Sequence, residues 1–140
     1  MNATAAIGAL AALLVGAVVA SAQPGFQPPP DLFQTPSGNV QCLLGRGTLR
    51  CTVLEHDYPT PPAAAACRPP WNGQLALGRQ GQAQLPCTAA LVRDDDAFVL
   101  GYGARWLGPG ITCESDESGL KCTNAAGHGF RASRSTLELF

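Results

Sequence analysis

Cys42 and Cys51 are separated by eight residues, Cys113 and Cys122 are separated by eight residues, and both pairs sit in the same local pattern. Val40-Gln41-Cys42 is answered by Leu49-Arg50-Cys51-Thr52, and Ile111-Thr112-Cys113 by Leu120-Lys121-Cys122-Thr123, with an aliphatic residue two before each cysteine. Alternation of this kind places the aliphatic residue and the cysteine on one face of a strand. If Cys113 faces Cys122 across adjacent strands, Ser115 faces Leu120 and Asp116-Glu117-Ser118-Gly119 makes the turn, with Gly119 where a left-handed backbone is wanted. The same arithmetic puts Gly45-Arg46-Gly47-Thr48 in the turn between Cys42 and Cys51. Two disulfide-bridged hairpins follow, and the remaining bridge is then Cys67–Cys87.

Zinc is the competing use of six cysteines, but it favours CxxC pairs or clustered histidines, and neither occurs. In the chain-entropy account, closed loops of about 10 residues contribute roughly 2.5–3 kcal/mol each and one of about 20 slightly more. Together these approach the net stability of a typical domain, so reduction is expected to unfold the protein.

Disulfides imply an oxidising compartment, and the N-terminus offers a route to one. Ala5 to Ala20 is an apolar run without a charged residue, followed by Ala20-Ser21-Ala22, the small-x-small pattern of a signal-peptidase site. The run is short for a membrane span of roughly 20 residues and has no flanking Lys or Arg. The expected organisation is a signal peptide at 1–22, a Pro-rich linker at 23–32 and a disulfide-stapled β domain at 33–140. The destination is the periplasm or the extracellular medium, with no stable membrane span after cleavage. Formal net charge is −1, so no basic field is present to attract nucleic acid. Partners are then an unknown protein or envelope ligand, recognised by shape and local contacts.

Within the domain, short apolar runs separated by Gly, Asn, Asp or Pro predict an all-β fold, a small antiparallel sheet or barrel-like domain of hairpins. Leu75-Ala76-Leu77 and Ala83-Gln84-Leu85 flank Gly78-Arg79-Gln80-Gly81 as a third hairpin. Ala97 to Tyr102 is the most strand-like run. Asp57 to Pro70 reads as an irregular crossover with room for a short helix at Ala63–Ala66, and Phe130 to Phe140 as the piece that closes the sheet.

Candidate sites are few. His128 lies between two glycines, and with Ser133 and a carboxylate it invites comparison with a hydrolytic triad. No GxSxG elbow or oxyanion loop accompanies it, so a hydrogen-bonded turn residue is the expected role. His56 is far from His128 in sequence and suggests no metal site. Asp94-Asp95-Asp96 lacks the alternation of a calcium loop and reads as a solvated turn. Arg131 and Arg134 could clamp an anion, but strand alternation would put them on opposite faces, and pairing with Glu114, Glu117 or Glu138 is expected. Trp71, Tyr102 and Trp106 are expected in the core or at its rim; exposed together, the two tryptophans would make a ligand-binding pair. No metal or cofactor is implied. The leading expectation is a non-enzymatic binding or structural module. The alternatives are a small secreted hydrolase or inhibitor-like effector using His128 and Ser133, and a ligand binder using Trp71 and Trp106.

Thr35-Pro36-Ser37-Gly38-Asn39-Val40-x-Cys42 opens the domain and Gly127-His128-Gly129-Phe130-x-x-Ser133-Arg134 closes it. Arg50-Cys51, Trp71, Gly81-x-Ala83, Tyr102-Gly103 and Gly110-Ile111-Thr112-Cys113 stand between. In this order, from about Phe33 to Phe140, the chain resembles an uncharacterised family of bacterial secreted proteins, a domain of unknown function with six cysteines and a signal or lipid anchor. The resemblance implies export and the six-cysteine framework and brings no catalytic residues with it. The Pro59–Ala66 crossover is longer here than in that pattern.

Overall fold

The structure, a computed structural model, describes residues 29–140 and the isolated positions 8, 16 and 17. The expected leader at 1–22 and most of the linker at 23–32 lie outside the described residues. Among the described residues ten strands build two five-stranded sheets. Sheet A contains β1 (Leu32–Gln34), β2 (Val40–Gly45), β3 (Thr48–Val53), β4 (Gln74–Gly78) and β5 (Phe98–Val99), in the order β4-β3-β2-β1-β5. Sheet B contains β6 (Arg105–Gly108), β7 (Ile111–Asp116), β8 (Gly119–Asn124), β9 (Gly129–Ala132) and β10 (Leu137–Leu139), in the order β10-β9-β8-β7-β6. Pairing is antiparallel except between β1 and β5. The sheets are open, not joined into a barrel.

The matched hairpins form as their spacing predicts. Cys42 lies opposite Cys51 and Cys113 opposite Cys122, and the bridges are Cys42–Cys51, Cys67–Cys87 and Cys113–Cys122. Cα separations of 4.1 and 4.0 Å in the two hairpins suit the close-spaced, non-hydrogen-bonded kind of antiparallel pair. Arg46 and Gly47 turn the first hairpin with φ of 52° and 77°, both left-handed as a two-residue primed turn requires. Alternation is clean in β7: Ile111, Cys113 and Ser115 point inward while Glu114 and Asp116 are exposed.

The likeness of the hairpins extends to the strands beside them. In sheet A a rung runs Phe33–Cys42–Cys51–Leu75, and in sheet B a rung runs Trp106–Cys113–Cys122–Phe130. Every one of these side chains is buried, and Phe33 stacks on Trp106 to join the rungs. Leu49, Leu77, Val53, Ile111 and Leu120 fill the space around them.

Four expectations change in detail. The run Ala97–Tyr102 yields only the two-residue β5, because its partner β1 ends at Gln34, whose O accepts from Leu100 N, and the chain then turns at Tyr102-Gly103. The third hairpin is held by a single bridge, Ala76 with Gln84. The crossover helix is one 3-10 turn at Pro62–Ala64, since proline suits only the first turn of a helix. The tail forms β10, which is the edge of sheet B and does not close it.

Polar residues also enter the interior. Gln34, Gln41, Thr52 and Gln74 pair in register across four strands of sheet A, and all four are buried. The segment 88–97, which has no regular structure apart from a turn, lies over them and bonds to them through its backbone.

Candidate functional site

A groove of about 540 Å³ opens at one end of the domain, within the ~300–1,000 Å³ common for small-ligand sites. Its walls come from distant parts of the chain: the β1–β2 turn, the residues after β3, the β7–β8 turn and the β9–β10 turn, with Arg93 and Tyr102 at its margin.

Each wall is fixed by short local bonds. In the β1–β2 turn Val40 N donates to Thr35 Oγ1, Asn39 N to Ser37 Oγ, and Gly38 adopts φ of 71°. Asn39 then joins this turn to the end of β3, donating from Nδ2 to Glu55 O and accepting from Glu55 N at Oδ1, both 2.9 Å. In the β7–β8 turn Asp116 Oδ1 accepts from the backbone and hydroxyl of Ser118. These bonds, aided by the Arg131 guanidinium, hold the Asp116 carboxyl below the usual carboxylate range. In the β9–β10 turn Ser133 Oγ accepts from the N–H groups of Ser135 and Thr136. The Arg134 guanidinium reaches Glu55 at 3.2 Å and Asp57 at 3.3 Å, and Asp57 N donates to Arg134 O, so the ends of β3 and β9 are tied together.

The groove is therefore rich in hydroxyls and carries charges of both signs, of which Glu55, Arg93, Asp116 and Arg134 already have partners. Tyr102, 56% exposed, offers the one large aromatic surface among its lining residues. Such a lining suits a polar ligand with hydrogen-bonding groups along its length and an apolar face for the tyrosine ring.

The residues singled out in the sequence fall in different places. His128 is half-buried in the β8–β9 turn, which Asn124 organises by accepting from Ala126 N and His128 N. Ser133 lies beyond the other end of β9, five residues and roughly 16 Å of extended chain away. The pair is not brought together, and Ser133 Oγ serves as an acceptor in its own turn. Trp71 and Trp106 are 6% and 2% exposed. Their indole N–H groups donate to Gln74 O and Pro30 O, so both are core residues and the ligand-binding pair is corrected. Burial of the rings against Phe33 and His56 is the physical reason.

The arginines pair with carboxylates, though with other ones than expected. Arg131 meets Asp116, and Arg134 meets Glu55 and Asp57. The strand ends at Ala132, so alternation does not govern Arg134. Asp94-Asp95-Asp96 forms a turn in which Asp94 accepts from Asp96 N and Asp95 pairs with Arg93. His56 stacks on Tyr58, centroids 4.4 Å apart. Among the described residues no group of three or more His, Cys, Asp or Glu converges as a metal site, and no helix is long and apolar enough to cross a membrane.

Sequence reasoning did not single out Glu55, Asp57 or Asp116 as partners of the arginines, nor Asn39 and Asn124 as the organisers of two turns. The available signal lay in the end motifs: Thr35–Asn39 and Ser133-Arg134, nearly a hundred residues apart, line the same groove. A family model, described as a family of unknown function (DUF6636), matches residues 9–140. The chain belongs to that family. The DUF6636 match starts inside the apolar N-terminal run and takes in both sheets, so the two halves of the groove lie within it. No curated protein and no solved structure matches the chain.

Proposed function

We propose that this DUF6636 chain is an exported bacterial protein, held in the periplasm or extracellular medium, whose disulfide-stapled domain binds a polar envelope ligand or protein partner in the groove between the two sheets. The observation that carries this reading is the convergence of residues 35–39 and 133–136 on one groove, with Tyr102 exposed at its margin. Export is supported by three disulfides in a small domain and by the apolar run ending in Ala20-Ser21-Ala22. A binding role is favoured over hydrolysis by the separation of His128 from Ser133 and by the use of Ser133 Oγ inside its own turn.

The test is capture from the organism's own envelope fraction on the immobilised, oxidised protein 23–140. Wild type is compared with Tyr102→Ala, Arg134→Ala and His128→Ala. A species retained by wild type and His128→Ala but lost by the two groove variants supports the site. Equal retention by all four, or loss only with His128→Ala, overturns it.

A further inference from the structure

One wall of the groove is built differently from the rest. Arg93, which lines it beside Gly38, belongs to the strap at 88–97, and the strap is not part of either sheet until β5 begins. What holds it down is chiefly the buried polar row on sheet A, beside one exposed bond from Arg50 Nη2 to Ala89 O at 3.3 Å. Gln41 grips the backbone of Asp94 from both sides: Oε1 accepts from Asp94 N at 3.1 Å and Nε2 donates to Asp94 O at 3.0 Å. Gln34 Nε2 donates to Ala97 O at 2.9 Å and to Asp95 O at 3.2 Å. Thr52 Oγ1 accepts from Leu91 N at 3.2 Å. The row is itself linked, Gln41 to Gln34 and Gln74 to Thr52.

Sheet A thus recognises the strap by peptide groups, while the strap's side chains from Val92 to Asp96 stay exposed. Such a contact has little apolar area to lose on opening, which is the condition for local opening ahead of the core. On its N-terminal side the strap follows Cys87, fixed by the bridge to Cys67; on its C-terminal side it runs into buried Ala97 and β5. Both ends are anchored and the middle is held by hydrogen bonds.

We propose that residues 88–97 are an opening wall of the groove, latched to sheet A by Gln34, Gln41 and Thr52, and that release of this latch governs access to the groove. The inference rests on the groove being the binding site. Opening carries Arg93 away from Gly38 and widens the groove along that wall without separating the sheets. Closure restores the bidentate Gln41–Asp94 contact.

Amide hydrogen exchange on the oxidised protein tests this without any ligand, so its outcome is independent of the capture experiment. In wild type the amides of Leu91 and Asp94 should exchange well before those of the β7–β8 hairpin. In Gln41→Leu they should exchange about tenfold faster or more, because Asp94 loses both partners, and trypsin should cut after Arg93 correspondingly faster, with hairpin exchange unchanged. Thr52→Val, close in shape, is the second variant; it should speed exchange at Leu91 and gives the same reading if Gln41→Leu does not fold. Exchange of Leu91 and Asp94 only at the rate of the hairpin, or no change at either amide in a folded variant, overturns the proposal.

Discussion

The ring of Phe33 stacks on the indole of Trp106, centroids 5.0 Å apart with 27° between their planes. Each ring occupies the same position in its own sheet: one strand before the first cysteine of a bridged hairpin, directly opposite that cysteine. Two similar four-strand meanders therefore meet through their corresponding aromatic residues.

Trp106→Ala is expected to cost about 3–5 kcal/mol, the range for emptying a large aromatic site in a core. It removes the stack on Phe33 and leaves Pro30 O without its indole donor. Denaturant unfolding monitored through Trp71 fluorescence measures it; a loss below about 1 kcal/mol would show that the two sheets do not depend on this contact.

Replacing Cys113 and Cys122 together by valine should destabilise the oxidised protein by roughly 2–5 kcal/mol, as loss of a native bridge does in small domains. The pair is fully buried at the centre of sheet B. The check is the urea midpoint against wild type. An unchanged midpoint would mean that packing, and not the cross-link, holds the sheet.

Gly73 adopts φ of 86° and faces the backbone of Val53, which a Cβ would strike. Gly73→Ala therefore meets both a left-handed backbone and a collision, and a loss of about 2–3 kcal/mol is expected. Arg134→Ala is the contrast. Its ion pairs are exposed, and their removal should change stability by no more than about 1 kcal/mol, which makes it a clean probe of the groove. Calorimetry of the two variants separates these outcomes.

Burial pushes the Tyr58 hydroxyl up to about 12 from 10, and its oxygen finds no hydrogen-bond partner among the described residues. The folded state holds this proton more tightly than the unfolded chain. Its contribution is thus complete below pH 10 and is lost as pH rises from about 10 to about 12. Tyr58→Phe should remove this part of the alkaline fall in stability and cost little at neutral pH, since the orphaned hydroxyl goes with it. Parallel alkaline curves for the two proteins would refute the assignment.

Ser118→Ala should raise the titration midpoint of Asp116 toward the ordinary carboxylate range, because the Ser118 hydroxyl is the first cause of its depression. With a lowered folded pKa, the contribution of this turn is present above the unfolded value and lost as pH falls through the folded one. NMR titration of the Asp116 carboxyl reads the shift directly.

The cysteine framework was legible because a nine-residue step between bridged cysteines in alternating strands leaves few geometries open. The buried row of Gln34, Gln41, Thr52 and Gln74 was not, since alternation alone assigns polar residues to solvent and cannot foresee a strap laid over them. Arg134 was noticed, but its partners Glu55 and Asp57 come from the far side of the fold and are joined only when the sheets pack. Trp71 and Trp106 look alike as ligand stackers or core residues until their N–H groups are seen to end on Gln74 O and Pro30 O.

The brevity of β5 has a protective effect at the margin of sheet A. Phe98 and Val99 are half exposed there, and a long strand of that character would invite another chain to extend the sheet. Two residues offer a newcomer too few peptide groups to grip, and the turn that follows takes the backbone away. Neighbouring copies of the protein are thereby kept from stacking edge to edge into fibres.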